Sequence, residues 1–369
     1  MTVRVPSSQV SSERLLDARS QFVLAEIIRE HLLTGEPVGS RAVAGRCADS
    51  AGWSAPTIRN VMAELEESGF VEQPHTSAGR VPTDKGYRYY VDHLLAQARP
   101  TQTDVDAVEK LLGEDSEDVE PARLMGRVSH LLSELSDNVG IVVSPSLSES
   151  LLQHVEFVGL ADGRILVVLV FAPNIVQNRI IRVEEMLSQE ELERASRYLN
   201  AEFTGRSLAS IRAELLRAMR DEKVTYDRLL RHALLLCDRG FEGGEVGAGA
   251  VYVEGASHIL DKPEFADMER LRQLFRTLEE RSRLVEILDE CLASERGAGS
   301  VRVRIGRELA APSMRGCALI TAPYRVGGSG VTGALGVVGP MRLEYARVMA
   351  VVNYVAQRVG LVLGEGAAV

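Results

Sequence analysis

Residues 54–95, SAPTIRNVMAELEESGFVEQPHTSAGRVPTDKGYRYYVDHLL, constrain the fold more than any other part of this sequence. They begin as an amphipathic helix. Ile58, Met62 and Leu65 share one face with Val61 beside them, while Thr57, Arg59, Asn60, Ala63 and Glu64 fall largely elsewhere. Ser54 (or Ala55, with Pro56 at the first helical position) starts the helix and Gly69 stops it. Residues 70–73 read as a short strand that Pro74 ends. A polar loop, HTSAGR, leads to a return strand at Val81. Thr83 then caps a helix carrying Tyr87, Tyr90, Val91 and Leu94.

Upstream, SQFVLAEIIREHLLTGEPVGS predicts a helix with Leu24, Ile27, Ile28 and Leu32 on one stripe, ended by Gly35 and Pro37. Ser40 reads as the N-cap of a short helix over 41–47 with Val43 inward. Helix, short helix, turn, helix is the order in which the last helix enters the major groove of DNA. The hairpin after it stands where a wing belongs.

Several of the exposed side chains suit a duplex. Arg59 can grip a phosphate or a guanine edge, Asn60 can pair with adenine, and the methyl of Thr57 can sit against thymine. Ser54 offers its hydroxyl or the helix N-terminus to a phosphate, and Ser40 and Arg41 are expected backbone contacts. In the wing, His75, Thr76, Ser77, Arg80, Lys85 and Arg88 supply donors against one opposing acid, Asp84. Gly79 is read as letting the backbone approach a phosphate. The bland alternative is a solvated helix face and a polar surface hairpin. The donors cluster, however, although residues 1–96 hold 10 Lys and Arg against 12 Asp and Glu. Tyr87, Tyr89 and Tyr90 are expected to pack, since a duplex offers them no unstacked base.

A chain of 369 residues implies two or three domains. Its net charge of −10 argues against coating nucleic acid or membrane with the whole surface, but leaves room for a local site. Cys47, Cys237, Cys291 and Cys317 are scattered, so zinc and disulfide frameworks are not expected and buried reduced thiols are. The N-terminus lacks an apolar signal core, and the strongest apolar run, 165–172, is too short to cross a bilayer. A cytoplasmic location without membrane contact is the expectation.

Residues 97–121 read as a linker with one helix near 105–112 and an acidic loop holding Glu114, Asp115, Glu117, Asp118 and Glu120. A helix at 122–135 and a buried strand at 140–143 follow. Residues 154–171 form a hairpin turned by Asp162-Gly163, with a further strand at 180–183. Helices are expected at 189–203, 208–222, 226–236, 268–280 and 283–291, and a strand at 251–253. Strands return at 301–305, 317–321 and 334–338 before a last helix at 343–361. Residues 328–333 spell GxGxxG, but a strand follows where a dinucleotide site needs a helix. His130, His154, His232 and His258 form no ligand pair, and no catalytic constellation stands out, so neither enzyme activity nor any cofactor or metal is expected.

EPVGSRAVA, TIRNVMAELEESGFVEQPHTSAGRVPTDKGYRYYVDHLL and VRVRIG…ITAPY…GVVGPMRLEYARVMAVVNYVA resemble HrcA, the bacterial heat-inducible transcription repressor family. The PHTSAGR-PTDKGYRYYVD run is the most specific part. The turn ADSAGWSAP is about two residues longer than the family's, and Val61 stands where the family more often has Asp. The resemblance implies an α+β multidomain fold: an N-terminal winged helix-turn-helix (1–96), a GAF-like antiparallel α/β domain (97–180 and 298–369) and an inserted helix-rich dimerisation domain (181–297). It further implies a dimeric repressor of chaperone operons that binds the CIRCE inverted repeat in double-stranded DNA, loses activity on heating and is modulated by the GroEL chaperonin. The alternative is a metabolite-responsive regulator with a ligand in the GAF-like domain.

Overall fold

The computed structural model describes residues 16–47, 52–75, 78–95, 98–113, 121–145, 151–171, 175–183, 187–221, 236, 250–260, 262–280, 283–288, 301–326 and 331–365. The chain divides into two compact units, Met1–Ala96 and Gln97–Val369.

In the first unit, α1 (Ala18–Thr34) opens on Asp17, whose carboxylate accepts from the Ser20 amide, and ends at Gly35 in the left-handed conformation. Leu24, Ile27 and Ile28 are fully buried, as their spacing predicts, and Val23 joins them, while Leu32 at the end of the expected stripe is only half-buried. The second helix, α2 (Ser40–Cys47), buries Val43. The carbonyl of Gly39 accepts its first amides, from Ala42 and Val43, so the cap is Gly39 and Ser40 is already helical. In α3 (Ala55–Glu67), Ser54 is the N-cap and accepts from the Thr57 amide. Ile58, Val61, Met62 and Leu65 are buried. An aspartate at position 61 would place a charge in that core.

Strands β1 (Val71–Glu72) and β2 (Val81–Pro82) form the hairpin, with Val71 opposite Pro82 and Glu72 opposite Val81. A bridge between Val38 and Arg80 adds the segment before α2 to its base. Thr83 caps α4 (Asp84–Tyr89), which runs on into one π-helical turn, Tyr90–Leu94. Tyr87, Tyr89 and Tyr90 are all buried, in keeping with a packing role.

The second unit begins with α5 (Gln102–Gly113) and α6 (Pro121–Ser136), then β3 (Val139–Val143). Next come β4 (Leu152–Gly159), β5 (Arg164–Phe171) and β6 (Ile175–Arg182), then α7 (Gln189–Phe203) and α8 (Leu208–Asp221). After these follow β7 (Val251–Glu254), α9 (Ala256–Leu260) and α10 (Met268–Glu279). The chain closes with β8 (Arg302–Ile305), β9 (Cys317–Val326), β10 (Val331–Pro340) and α11 (Tyr345–Glu365). Among the described residues every strand pairing is antiparallel. With its mixture of helices and antiparallel sheets, the protein is α+β.

Sheet membership departs from the expected boundaries at 181 and 297. Five strands form one sheet in the order β7-β3-β10-β9-β8, and β4-β5-β6 form another. The hairpin expected in the larger domain therefore belongs to the interrupting piece, whose sheet packs Val155, Phe157, Val167 and Leu169 against Leu192 and Leu199 of α7. Conversely, β7 pairs directly with β3, from Gly140 opposite Glu254 to Val143 opposite Val251. Leu271, Leu274 and Leu278 of α10 share a core with Val139, Ile141 and Val143. The chain leaves the five-stranded sheet after β3 and rejoins it at the adjacent strand, β7. Between those two strands the chain forms the separate β4-β5-β6 sheet and helices α7 and α8.

The other face of that sheet carries α6 and α11. Gly140 lets α6 close, since a Cβ there would lie 2.0 Å from the Ser129 carbonyl oxygen. The expected linker helix α5 is docked on this layer. Asp104 meets Arg347 of α11 at 3.0 Å, and Glu109 meets Arg358 at 2.7 Å.

The turn of the β4-β5 hairpin uses two left-handed residues, Asp162 (φ 63) and Gly163 (φ 68), as the Asp-Gly pair predicts. The last three residues of GxGxxG, 331–333, are already strand, and 327–330 lie outside the described residues. Cys317 is buried in β9, where burial pushes its thiol up to about 12. The acidic loop, the expected helix at 226–236 apart from Leu236, and Cys237 and Cys291 also lie outside the described residues.

Candidate nucleic-acid interface

The apolar face of α3 is committed to the core, which leaves Pro56, Arg59, Asn60, Ala63, Glu64 and Glu67 exposed. This outer face is not uniform. Its first turns offer a guanidinium and a carboxamide, whereas its last turns are acidic. Only the N-terminal half suits a polyanion, and that is the half a recognition helix presents to base edges. At the very start, Ser54 Oγ lies 3.0 Å from Thr57 Oγ1 and accepts the Thr57 amide at 3.4 Å. Both hydroxyls are thus engaged in the cap.

Partners separate the cations. Arg46 of α2 pairs with Glu26 and Glu30 of α1. Arg88 pairs with Asp92 one turn on, at 3.0 Å. Arg80 meets Glu66 at 2.7 Å and exchanges both backbone hydrogen bonds with Val38 at 2.9 Å. Lys85 donates to the Ser68 carbonyl at 3.0 Å, at the C-terminal end of α3, and sits 4.3 Å from the centre of the Phe70 ring. A cation there complements the helix dipole. Arg41 and Arg59 are exposed and have no acidic partner among the described residues.

The structure therefore divides the sequence-predicted contacts. Arg41, Ser54, Thr57, Arg59 and Asn60 lie on α2 or at and just after the α3 N-terminus, with Ser40 half-buried at the start of α2. His75 is exposed on the hairpin, and its carbonyl accepts the Ala78 amide at 2.8 Å. Thr76 and Ser77 lie outside the described residues. Arg80, Lys85 and Arg88 already hold partners within the protein. Gly79 approaches protein backbone, not an open surface: a Cβ there would lie 2.4 Å from the Val38 carbonyl carbon and oxygen. Sequence reasoning passed over Gln73, whose side-chain amide donates to the Ala78 carbonyl at 3.0 Å and braces the loop. Its position at the strand end was the available signal.

A family model described as the HrcA protein C-terminal domain matches residues 122–349. The chain belongs to the HrcA family. The Heat-inducible transcription repressor HrcA of Geobacter sulfurreducens is 43% identical over 348 residues, covering 94% of this chain and 98% of that protein. That of Syntrophobacter fumaroxidans is 36% identical over 350 residues, covering 95% and 98%. Among solved structures, one of a hypothetical protein superposes with a TM-score of 0.60 at 24% identity, covering 95% of this chain and all of that one, a likeness of fold.

Proposed function

We propose that this HrcA-family chain is a transcriptional repressor that binds, as a homodimer, the CIRCE inverted repeat ahead of chaperone operons. The carrying observation is that two exposed arginines without acidic partners among the described residues, Arg41 and Arg59, stand on the two helices of a helix-turn-helix. Asn60 stands beside Arg59 and the hairpin follows. In this reading Arg59 and Asn60 read bases, Arg41 and the α3 N-terminus hold phosphates, and the hairpin tip at His75, Thr76 and Ser77 reaches the neighbouring backbone. Arg80, Lys85 and Arg88 act by placing the hairpin and α4.

Support for the homodimer comes from the outer face of the β4-β5-β6 sheet. Leu166 lies opposite Ile180 and Val170 opposite Val176, with Val168 between them. Ile180 is 56% and Val176 61% exposed. Asn178 and Glu156 stand opposite Val168 on the same face, so the exposed apolar groups are rimmed by polar ones, a surface that a second copy can cover. Two copies then present two α3 helices to an inverted repeat. The five-stranded sheet with helices on both faces supports the GAF-like reading of the larger domain. Heat lowers the DNA-competent fraction and a GroEL-type chaperonin restores it, which sets apparent affinity.

The test is a titration of the full chain into an inverted-repeat duplex and a scrambled duplex at one salt concentration, because phosphate contacts make affinity strongly salt-dependent. Selective binding to the inverted repeat is expected. Equal affinities overturn the reading.

A further inference from the structure

Trp53 is the chain's only tryptophan and stands one residue before the N-cap of α3. An apolar residue at this position commonly folds back onto its own helix. Here the ring reaches α1. It meets Phe22 edge-on, with centroids 5.7 Å apart and planes at 89°, and the Arg19 guanidinium lies 5.2 Å from its centre. The neighbouring backbone fits this outward turn: Gly52 is left-handed at φ 62, and Ser54 is extended.

The contact matters at the N-terminal end of α3, since the Glu66–Arg80 pair and the Lys85–Ser68 bond hold only its C-terminal end. In between, Ile58, Val61, Met62 and Leu65 bury the helix by apolar packing, which is non-directional. An edge-to-face ring pair and a cation over a ring are directional. Rotating α3 by about 20° would move a side-chain tip ~8 Å from the axis by roughly 3 Å, while a recognition site tolerates about 0.5 Å. A contact that fixes the helix azimuth is therefore a contact that fixes what Arg59 and Asn60 can reach.

We propose that Trp53, gripped by Phe22 and Arg19, is a positioning residue that sets the azimuth of α3 and so the discrimination between operator and other DNA. This rests on the DNA-reading role given to α3 above. A purely structural role would alter all DNA binding alike, whereas an azimuthal role alters the ratio between sequences.

The experiment compares the full-length wild type with Trp53→Ala, Trp53→Phe and Arg19→Gln. Affinities for an inverted-repeat duplex and a scrambled duplex are measured at one salt concentration, alongside thermal unfolding. Trp53→Ala is expected to weaken operator binding about tenfold and leave the scrambled duplex unchanged. Trp53→Phe, which keeps a ring for both neighbours, should recover most of the loss. Arg19→Gln should lose about threefold on the operator alone, and with Trp53→Phe carries the test if Trp53→Ala does not fold. A wild type that discriminates, with variants that discriminate equally well, overturns this proposal alone. Equal losses on both duplexes also overturn it. A wild type that fails to discriminate overturns the reading of function, and this proposal with it.

Discussion

Arg80 of the hairpin and Glu66 of α3 meet at 2.7 Å, so a guanidinium that the sequence offers to phosphate is held by a carboxylate of the same unit. The pair is only partly exposed, and the Arg80 backbone is bound to Val38 on the same side. Arg80→Ala and Glu66→Ala should each lower stability by about 1 kcal/mol, and the double variant should lose little more. Both should weaken operator binding alike. If Arg80→Ala weakens it and Glu66→Ala does not, Arg80 itself touches DNA.

Gly86 illustrates how closely α4 seats on the segment that follows α3. A Cβ at this position would come within 2.1 Å of the Phe70 carbonyl oxygen. Gly86→Ala should therefore destabilise the first unit by about 1–3 kcal/mol, read as a lowered thermal midpoint, through overpacking alone. An unchanged midpoint would show that α4 can shift without loss.

These two residues also show what the sequence could and could not disclose. The buried stripes of α1 and α3, the caps at Ser54 and Thr83, and the Asp162-Gly163 turn were all legible, because each depends on neighbours within a few residues. Gly79, Arg80 and Lys85 looked like ligands of an anion because their partners, Val38, Glu66 and Ser68, lie from 14 to 41 positions away. Sheet membership was hidden for the same reason. A hairpin at 154–171 reads identically whichever sheet accepts it, and the pairing of β7 with β3 spans more than a hundred residues.

Asp104 should make stability pH-dependent. It is buried, which pushes its carboxyl up, but hydrogen bonds from Arg347 and Thr101 outweigh this and hold it below the ordinary 3.8. A lowered folded value means the contribution is present in full above the ordinary carboxylate range. It is lost as pH falls below 3.8 through the folded value. Asp104→Asn should cost about 2 kcal/mol at neutral pH, and the gap to wild type should shrink on acidification. A pH-independent gap would assign the loss to packing.

Val176 and Ile180 test the proposed dimer face without touching the inner core of their sheet. Replacing both with Glu should convert the dimer to monomer with little change in thermal midpoint, seen by sedimentation equilibrium. Operator affinity should fall with it, as the two half-sites are no longer linked. A variant that remains dimeric places the interface elsewhere.

The central claim, that paired α3 helices read an inverted repeat, is tested most directly by footprinting the wild type and Arg59→Ala on one inverted-repeat duplex while measuring stoichiometry. The expected result is two chains per duplex, protection over both half-sites, and a loss of about 1–3 kcal/mol in the variant. One chain per duplex, or an Arg59→Ala footprint equal to wild type, would contradict it.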